Sequence, residues 1–213
     1  NPTGVTYRQD ELERFARFCQ DHNLVAISDE VYAELTYEGD HVSLASLPGM
    51  RDRTILLSGF SKAFAMTGWR MGYAVGPKDY IDAMVKIHQY SMLSAPTLSQ
   101  EAAIEAMRHG RDDVRRMVDS YHDRRNTFIK GLNDVGLQCH LPLGAFYAFP
   151  SIEPTGMGEI EFCERLLKEE TVAVVPGSAF GECGKGHIRC SYASSMETLL
   201  KAVERIGRFL DRL

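Results

Sequence analysis

The 213-residue chain has no apolar run of the roughly 18 or more residues that a membrane-spanning helix needs. It does not open on a charged stretch followed by an apolar core, so no signal peptide is visible. Positive charge is in short supply: 24 Lys and Arg face 29 Asp and Glu, the net charge is −5, and the pI is about 5.8. That balance leaves no electrostatic footprint for a nucleic-acid partner. The five cysteines (Cys19, Cys139, Cys163, Cys183 and Cys190) form no C-x-x-C pair, and the seven histidines include no H-E-x-x-H. No metal site is therefore expected, and an odd set of thiols fits reduced cysteines in a cytoplasmic protein. Internal repeats and low-complexity tracts are absent.

What is present centres on Thr54 to Val75. An apolar run, Thr54 to Ser58, reads as a buried strand that breaks at Gly59 into a polar turn. Lys62 sits at that turn, Arg70 follows, and Met71 to Val75 reads as a second buried strand. Gly59 is expected to let the backbone pass close to a ligand. A lysine just past an apolar strand has little packing use, but its amine can form a Schiff base with a carbonyl. Upstream, Leu24 to Ser28 reads as a buried parallel strand with Asp29-Glu30-Val31-Tyr32 at its carboxyl end, where open α/β sheets bind ligands. Near the other terminus Arg189 stands between Ile188 and Cys190, where a charge is costly unless paired.

The segment Gly59-Phe60-Ser61-Lys62-Ala63-Phe64-Ala65-Met66-Thr67-Gly68-Trp69-Arg70-Met71-Gly72 resembles, position by position, the pyridoxal-phosphate lysine signature of class I and II aminotransferases. The resemblance extends from Asn1-Pro2-Thr3-Gly4 to the end of the chain. It implies pyridoxal 5′-phosphate held as a Schiff base by Lys62, and transamination between an amino acid and a 2-oxo acid. It implies Asp29 at the pyridine nitrogen, Tyr32 and Asn1 at the phenolic oxygen, and Ser61 and Arg70 at the phosphate, with Ser58 as a further hydroxyl. Arg189 would grip the substrate α-carboxylate, and Leu143 to Tyr147 and Pro176 to Phe180 resemble loops that shape the substrate side. A homodimer is implied. So is a position for this sequence in the C-terminal portion of a longer enzyme, inactive by itself. A C–S lyase of the same cofactor class would use much the same lysine and aspartate, the sensor domain of a transcription regulator is a further alternative, and the amino acid is not readable.

The fold implied is α/β. Residues 1–130 would form the C-terminal part of a large cofactor-binding α/β/α domain with a mostly parallel sheet, plus linking helices. Residues 131–213 would form a small α+β domain, beyond the composition shift near Gly131 to Gly136. A helix opened by the Thr6–Gln9 capping pattern is expected to run to about Asp21, with Leu12, Phe15, Ala16 and Cys19 on its apolar face. Helices are also expected over 78–89, 97–109, 112–132, 159–170 and 196–213. Short strands are expected over 138–141, 145–149, 172–175 and 187–192. Glu30 reads as surface or structural, Trp69 as packing, and the charge run of Asp113 to Arg125 as a solvated helix face.

Overall fold

The computed structural model describes residues Asn1–Leu213. Helix α1 (Gln9–Asp21) starts later than the Thr6 pattern predicts. The Glu11 carboxylate reaches back to accept the Arg8 backbone N–H at 2.8 Å, so the orphan donors of the first turn are served there instead. Leu12, Ala16 and Cys19 face inward, but Phe15 flanks this narrow stripe and is exposed.

Strand β1 (Ala26–Asp29) pairs in parallel with β2 (Thr54–Gly59), Asp29 opposite Leu57. Strand β3 (Gly72–Val75) then runs antiparallel to β2. A second sheet, built from β4 (Tyr147–Ala148), β5 (Val175–Pro176) and β6 (Ile188–Ser191), has the order β4-β6-β5 and is antiparallel throughout. The expected mostly parallel sheet is therefore wrong for this chain: the first sheet is mixed and the second antiparallel. Connection length explains the first sheet. Between β2 and β3 lie only the one-turn helix α2 (Phe60–Ala63) and a 3-10 turn (Thr67–Trp69), too little for the crossover that a parallel return requires.

Neither β1 nor β3 is fully buried as expected. Ile27 is 70% exposed, and Tyr73 and Val75 are about half exposed, while Ala26 joins the core. Cross-strand partners share a face, so Ile27 lies with Ile55 on one face and Val75 with Leu56 on the other, and neither face is fully covered. Gly59 has a close backbone neighbour within the sheet. A Cβ there would lie 2.9 Å from Gly72 Cα and from Met71 O, so two facing glycines let β2 and β3 approach.

The chain divides into two compact units, Tyr7–Val118 and Asn1–Thr6 with Asp119–Leu213. The first holds α1, the mixed sheet, α3 (Lys78–Ser91) and α4 (Thr97–His109), and the division falls within α5 (Arg111–Asp134). Its core has two clusters. One joins Ala16, Cys19, Ala26, Leu44, Leu47 and Met50; the other joins Phe60, Met66 and Ala103. The second unit holds the antiparallel sheet, α6 (Glu159–Glu170) and α7 (Met196–Leu210). Phe162 of α6 meets Phe209 of α7 edge to face at 5.2 Å, and the buried Glu170 carboxylate pairs with Arg208 and Arg212. The expected strand at 138–141 does not form. The Asn133 amide bonds both the N–H and the C=O of Cys139, at 3.0 and 3.1 Å, occupying groups a strand would pair. No helix is long and apolar enough to cross a membrane.

Candidate functional site

Parallel pairing places the carboxyl ends of β1 and β2 at the same edge of the first sheet. Asp29 closes β1, exposed, its Oδ1 accepting the Val31 N–H at 3.2 Å. The chain then turns through Glu30 to Leu35, with the Leu35 N–H on the Tyr32 carbonyl at 2.9 Å. From β2 the chain enters α2 directly, which carries Ser61 and Lys62, both half-buried. Lys62 Nζ stands 5.9 Å from the centre of the Tyr32 ring. Asp29, Tyr32, Ser61 and Lys62 thus follow the carboxyl ends of β1 and β2 at one edge of the sheet, within one unit.

Arg70 is exposed and closes the Thr67–Trp69 turn with φ 52°, its guanidinium donating to Thr67 O at 2.8 Å. Ala65 also has a positive φ, 53°. Non-glycine residues adopt this left-handed region at a cost of roughly 1–2 kcal/mol each. Two within one short connection mark a segment held in shape by its surroundings. Those surroundings include Phe60 N to Met71 O at 3.1 Å, Met66 N to Phe60 O at 3.2 Å, and Ser99 Oγ donating to Trp69 O at 2.7 Å. Trp69 is 47% exposed rather than packed. It lines a cleft of about 460 Å³ with Phe64, Met66 and Ala106, and none of the expected site residues lines that cleft.

Glu30, read from sequence as surface or structural, is a buried structural hub. Its Oε1 accepts Ser28 Oγ at 3.0 Å, Ser43 Oγ at 2.9 Å and Leu44 N at 3.2 Å, and its Oε2 lies 2.8 Å from His41 Nε2. Burial pushes this carboxyl up, but the hydrogen bonds from His41, Ser43 and Ser28 outweigh it and hold it below the ordinary 4.5. Ser58, a candidate phosphate contact, directs its hydroxyl at Glu30 O, 3.4 Å away. Nothing in the sequence names His41 and Ser43 as partners of Glu30; only loop closure does.

Asn1 and Arg189 belong to the other unit. The Asn1-Pro2-Thr3-Gly4 turn is docked there by Leu143 N and Gly144 N, both donating to Gly4 O at 2.9 and 3.0 Å. Gly4 has φ 72°, and a Cβ on it would lie 2.5 Å from Pro142 Cβ, so this position demands glycine. The docked turn brings Asn1 Oδ1 to 2.8 Å from Arg189, which donates through Nη1. The guanidinium carbon lies 4.6 Å from the ring centres of both Tyr147 and Phe180. None of the ion pairs in the structure includes Arg189. The sequence had flagged the loops holding Tyr147 and Phe180, but not these contacts.

Residues 1–206 match the family described as aminotransferase class I and II. A Bacillus subtilis (strain 168) protein, YugH, whose name carries the word aminotransferase, is 54% identical over 212 residues, 100% of this chain and 55% of that one. The aspartate aminotransferase of Pyrococcus abyssi is 46% identical over 213 residues, 99% of this chain and 55% of that one. The crystal structure of an aromatic aminotransferase from Pyrococcus horikoshii OT3 superposes with a TM-score of 0.97 at 46% identity, covering 100% of this chain and 58% of that one. The chain spans about half the length of the relatives it matches.

Proposed function

Since this chain belongs to the class I and II aminotransferase family, we propose that the complete protein transfers an amino group between an amino acid and a 2-oxo acid with pyridoxal 5′-phosphate as cofactor. The residues fit that group. An exposed carboxylate, a tyrosine, a serine and a lysine amine share one strand edge, which is the donor set a ring nitrogen, a phenolic oxygen, a phosphate and a carbonyl carbon require. When bound, the cofactor supplies an electron sink for the carbon that loses its proton. Lys62 would hold the cofactor covalently and, once released, carry a proton at Nζ as general acid and base. Asp29 would keep a positive charge on the ring nitrogen, and Tyr32 and Asn1 would serve the phenolic oxygen. Ser61 and Arg70 would hold the phosphate, the arginine through its fork of donors. Arg189 would orient the substrate through its α-carboxylate. In this reading residues 1–130 belong to the large cofactor-binding domain with its linking helices, and 131–213 to the small domain.

The observation that supports Arg189 in this role is its lack of an acidic partner. A structural arginine in a strand pairs with a carboxylate of the protein; this one is held by an amide oxygen and two rings. The complete protein is further read as a cytoplasmic homodimer. In support, unit Tyr7–Val118 exposes large apolar side chains at Ile87, Tyr90, Met92, Leu93 and Leu98.

The test is the absorbance spectrum of the complete protein with pyridoxal phosphate, followed by borohydride reduction and peptide mapping. The label should fall on Lys62, and Lys62→Ala should lose both the label and turnover. A label elsewhere refutes the assignment. Product analysis separates transfer from elimination: beyond one equivalent per bound cofactor, 2-oxo acid should form only when an amino-group acceptor is supplied.

A further inference from the structure

We propose that Phe180 and Tyr147 are positioning residues that make Arg189 an edge-only receptor, one that takes a flat carboxylate and rejects a tetrahedral oxyanion. The inference rests on Arg189 being the substrate-carboxylate residue and goes beyond it in assigning what sets its selectivity. Tyr147 lies opposite Ser191 in the β4–β6 register, and Ser191 shares a sheet face with Arg189 two residues earlier. That register puts the tyrosine ring beside the guanidinium from one side. Phe180 arrives from the other edge of the sheet, where β5 pairs Val175 with Arg189 and then turns through Gly177–Phe180. Both rings sit 4.6 Å from the guanidinium carbon. With a ring 4.6 Å from its carbon on each of two sides and one Nη1 donor spent on Asn1 Oδ1, the guanidinium keeps its remaining donors for a ligand that enters between the rings. A carboxylate meets these donors with two coplanar oxygens. A sulfonate or phosphonate carries a third oxygen out of that plane, toward a ring.

The loop carrying Phe180 is built to stay in place. A Cβ on Gly177 would sit 1.9 Å from Gly184 O, and one on Gly184 would sit 2.1 Å from Gly177 O, so the loop is pinched shut by two glycines. Gly177 N donates to His187 O at 2.8 Å and Gly184 N to Gly181 O at 2.9 Å, while Glu159 at the start of α6 accepts from Gly186 N at 3.5 Å. Behind Phe180 the Phe149 ring meets it edge-on at 6.4 Å and is itself stacked on His187 at 5.2 Å. A ring braced this way loses little further freedom when a ligand binds.

The experiment is calorimetric titration of the complete, cofactor-loaded protein with two probe pairs, hydrocinnamate against phenylethanesulfonate and succinate against ethanedisulfonate. The wild type should prefer the carboxylate of at least one pair. Phe180→Leu should weaken that carboxylate by roughly 3- to 30-fold, the range from an exposed to a desolvated cation–ring contact, with little change for the sulfonate, so that the preference shrinks. Phe180→Tyr should keep both the affinity and the preference. Phe180 is 38% exposed on a surface loop, and Tyr147→Leu gives an independent second arm with the same expected result. An unchanged cofactor spectrum reports an intact fold in each variant. If Arg189→Met leaves carboxylate binding intact, the underlying role of Arg189 falls. If Arg189→Met abolishes binding while the ring variants keep the wild-type preference, or weaken both probes of a pair equally, the proposal is overturned.

Discussion

At the scale of single residues, environment decides what a side chain can do, and two groups show this away from the candidate site. Arg125 falls in a charge run that reads as a solvated helix face, yet it is only 1% exposed. It donates to Pro142 O at 2.9 Å and to Asn126 Oδ1 at 2.9 and 3.1 Å. Arg125→Leu leaves the Pro142 carbonyl without this donor and should cost about 2–4 kcal/mol in denaturant unfolding. Arg125→Lys should recover only part, because an ammonium cannot reproduce the fork. The thiols give a second prediction. Burial pushes Cys139 and Cys163 up to about 11, and pushes the fully buried Cys190 higher still. At about pH 8 only roughly one in a thousand of a thiol at 11 is thiolate. Alkylation of the native protein followed by mass mapping should therefore mark the exposed Cys183 first, and Cys139, Cys163 and Cys190 only after unfolding.

At the scale of elements, Glu30 fastens the loop holding His41, Ser43 and Leu44 to the end of β1, next to Asp29 and Tyr32. Its folded carboxyl lies below the ordinary value of 4.5. The stability it contributes is thus fully present above about pH 4.5 and is lost as pH falls through the lower folded value. Glu30→Gln should destabilise by about 1–3 kcal/mol at neutral pH and flatten the acid limb of a stability-against-pH curve. An acid limb identical to that of the wild type would show that Glu30 does not carry this dependence. Element pairing also corrected the sheet. Each strand of the first sheet was foreseen within two residues, and β1 pairs in parallel as expected, but the antiparallel direction of β3 was not foreseen. Direction depends on whether the link between strands can cross over, and the link from Phe60 to Met71 folds into a braced turn instead.

At the scale of the whole molecule, unit Tyr7–Val118 leaves Tyr90 94%, Leu93 82% and Leu98 78% exposed. If the proposed homodimer uses this surface, Leu93→Glu with Leu98→Glu should shift sedimentation of the complete protein toward the monomer while leaving its far-ultraviolet spectrum unchanged. A sedimentation coefficient equal to that of the wild type would remove this surface from the interface. The sequence by itself determined the family, the strand that delivers Lys62, the turn that carries Asn1, and most helix spans. Those signals lie between chain neighbours: an apolar run ending at glycine, a cap, a turn residue, a motif of consecutive positions. Only the tertiary structure decided that Arg189 lies between two rings with Asn1, 188 residues away, on one nitrogen. It likewise decided that Glu30 is buried among donors from a later loop, that Arg125 is hidden from water, and that the sheets are mixed and antiparallel. Such partnerships exist only once distant segments have closed on one another, and no local propensity encodes which segment will arrive.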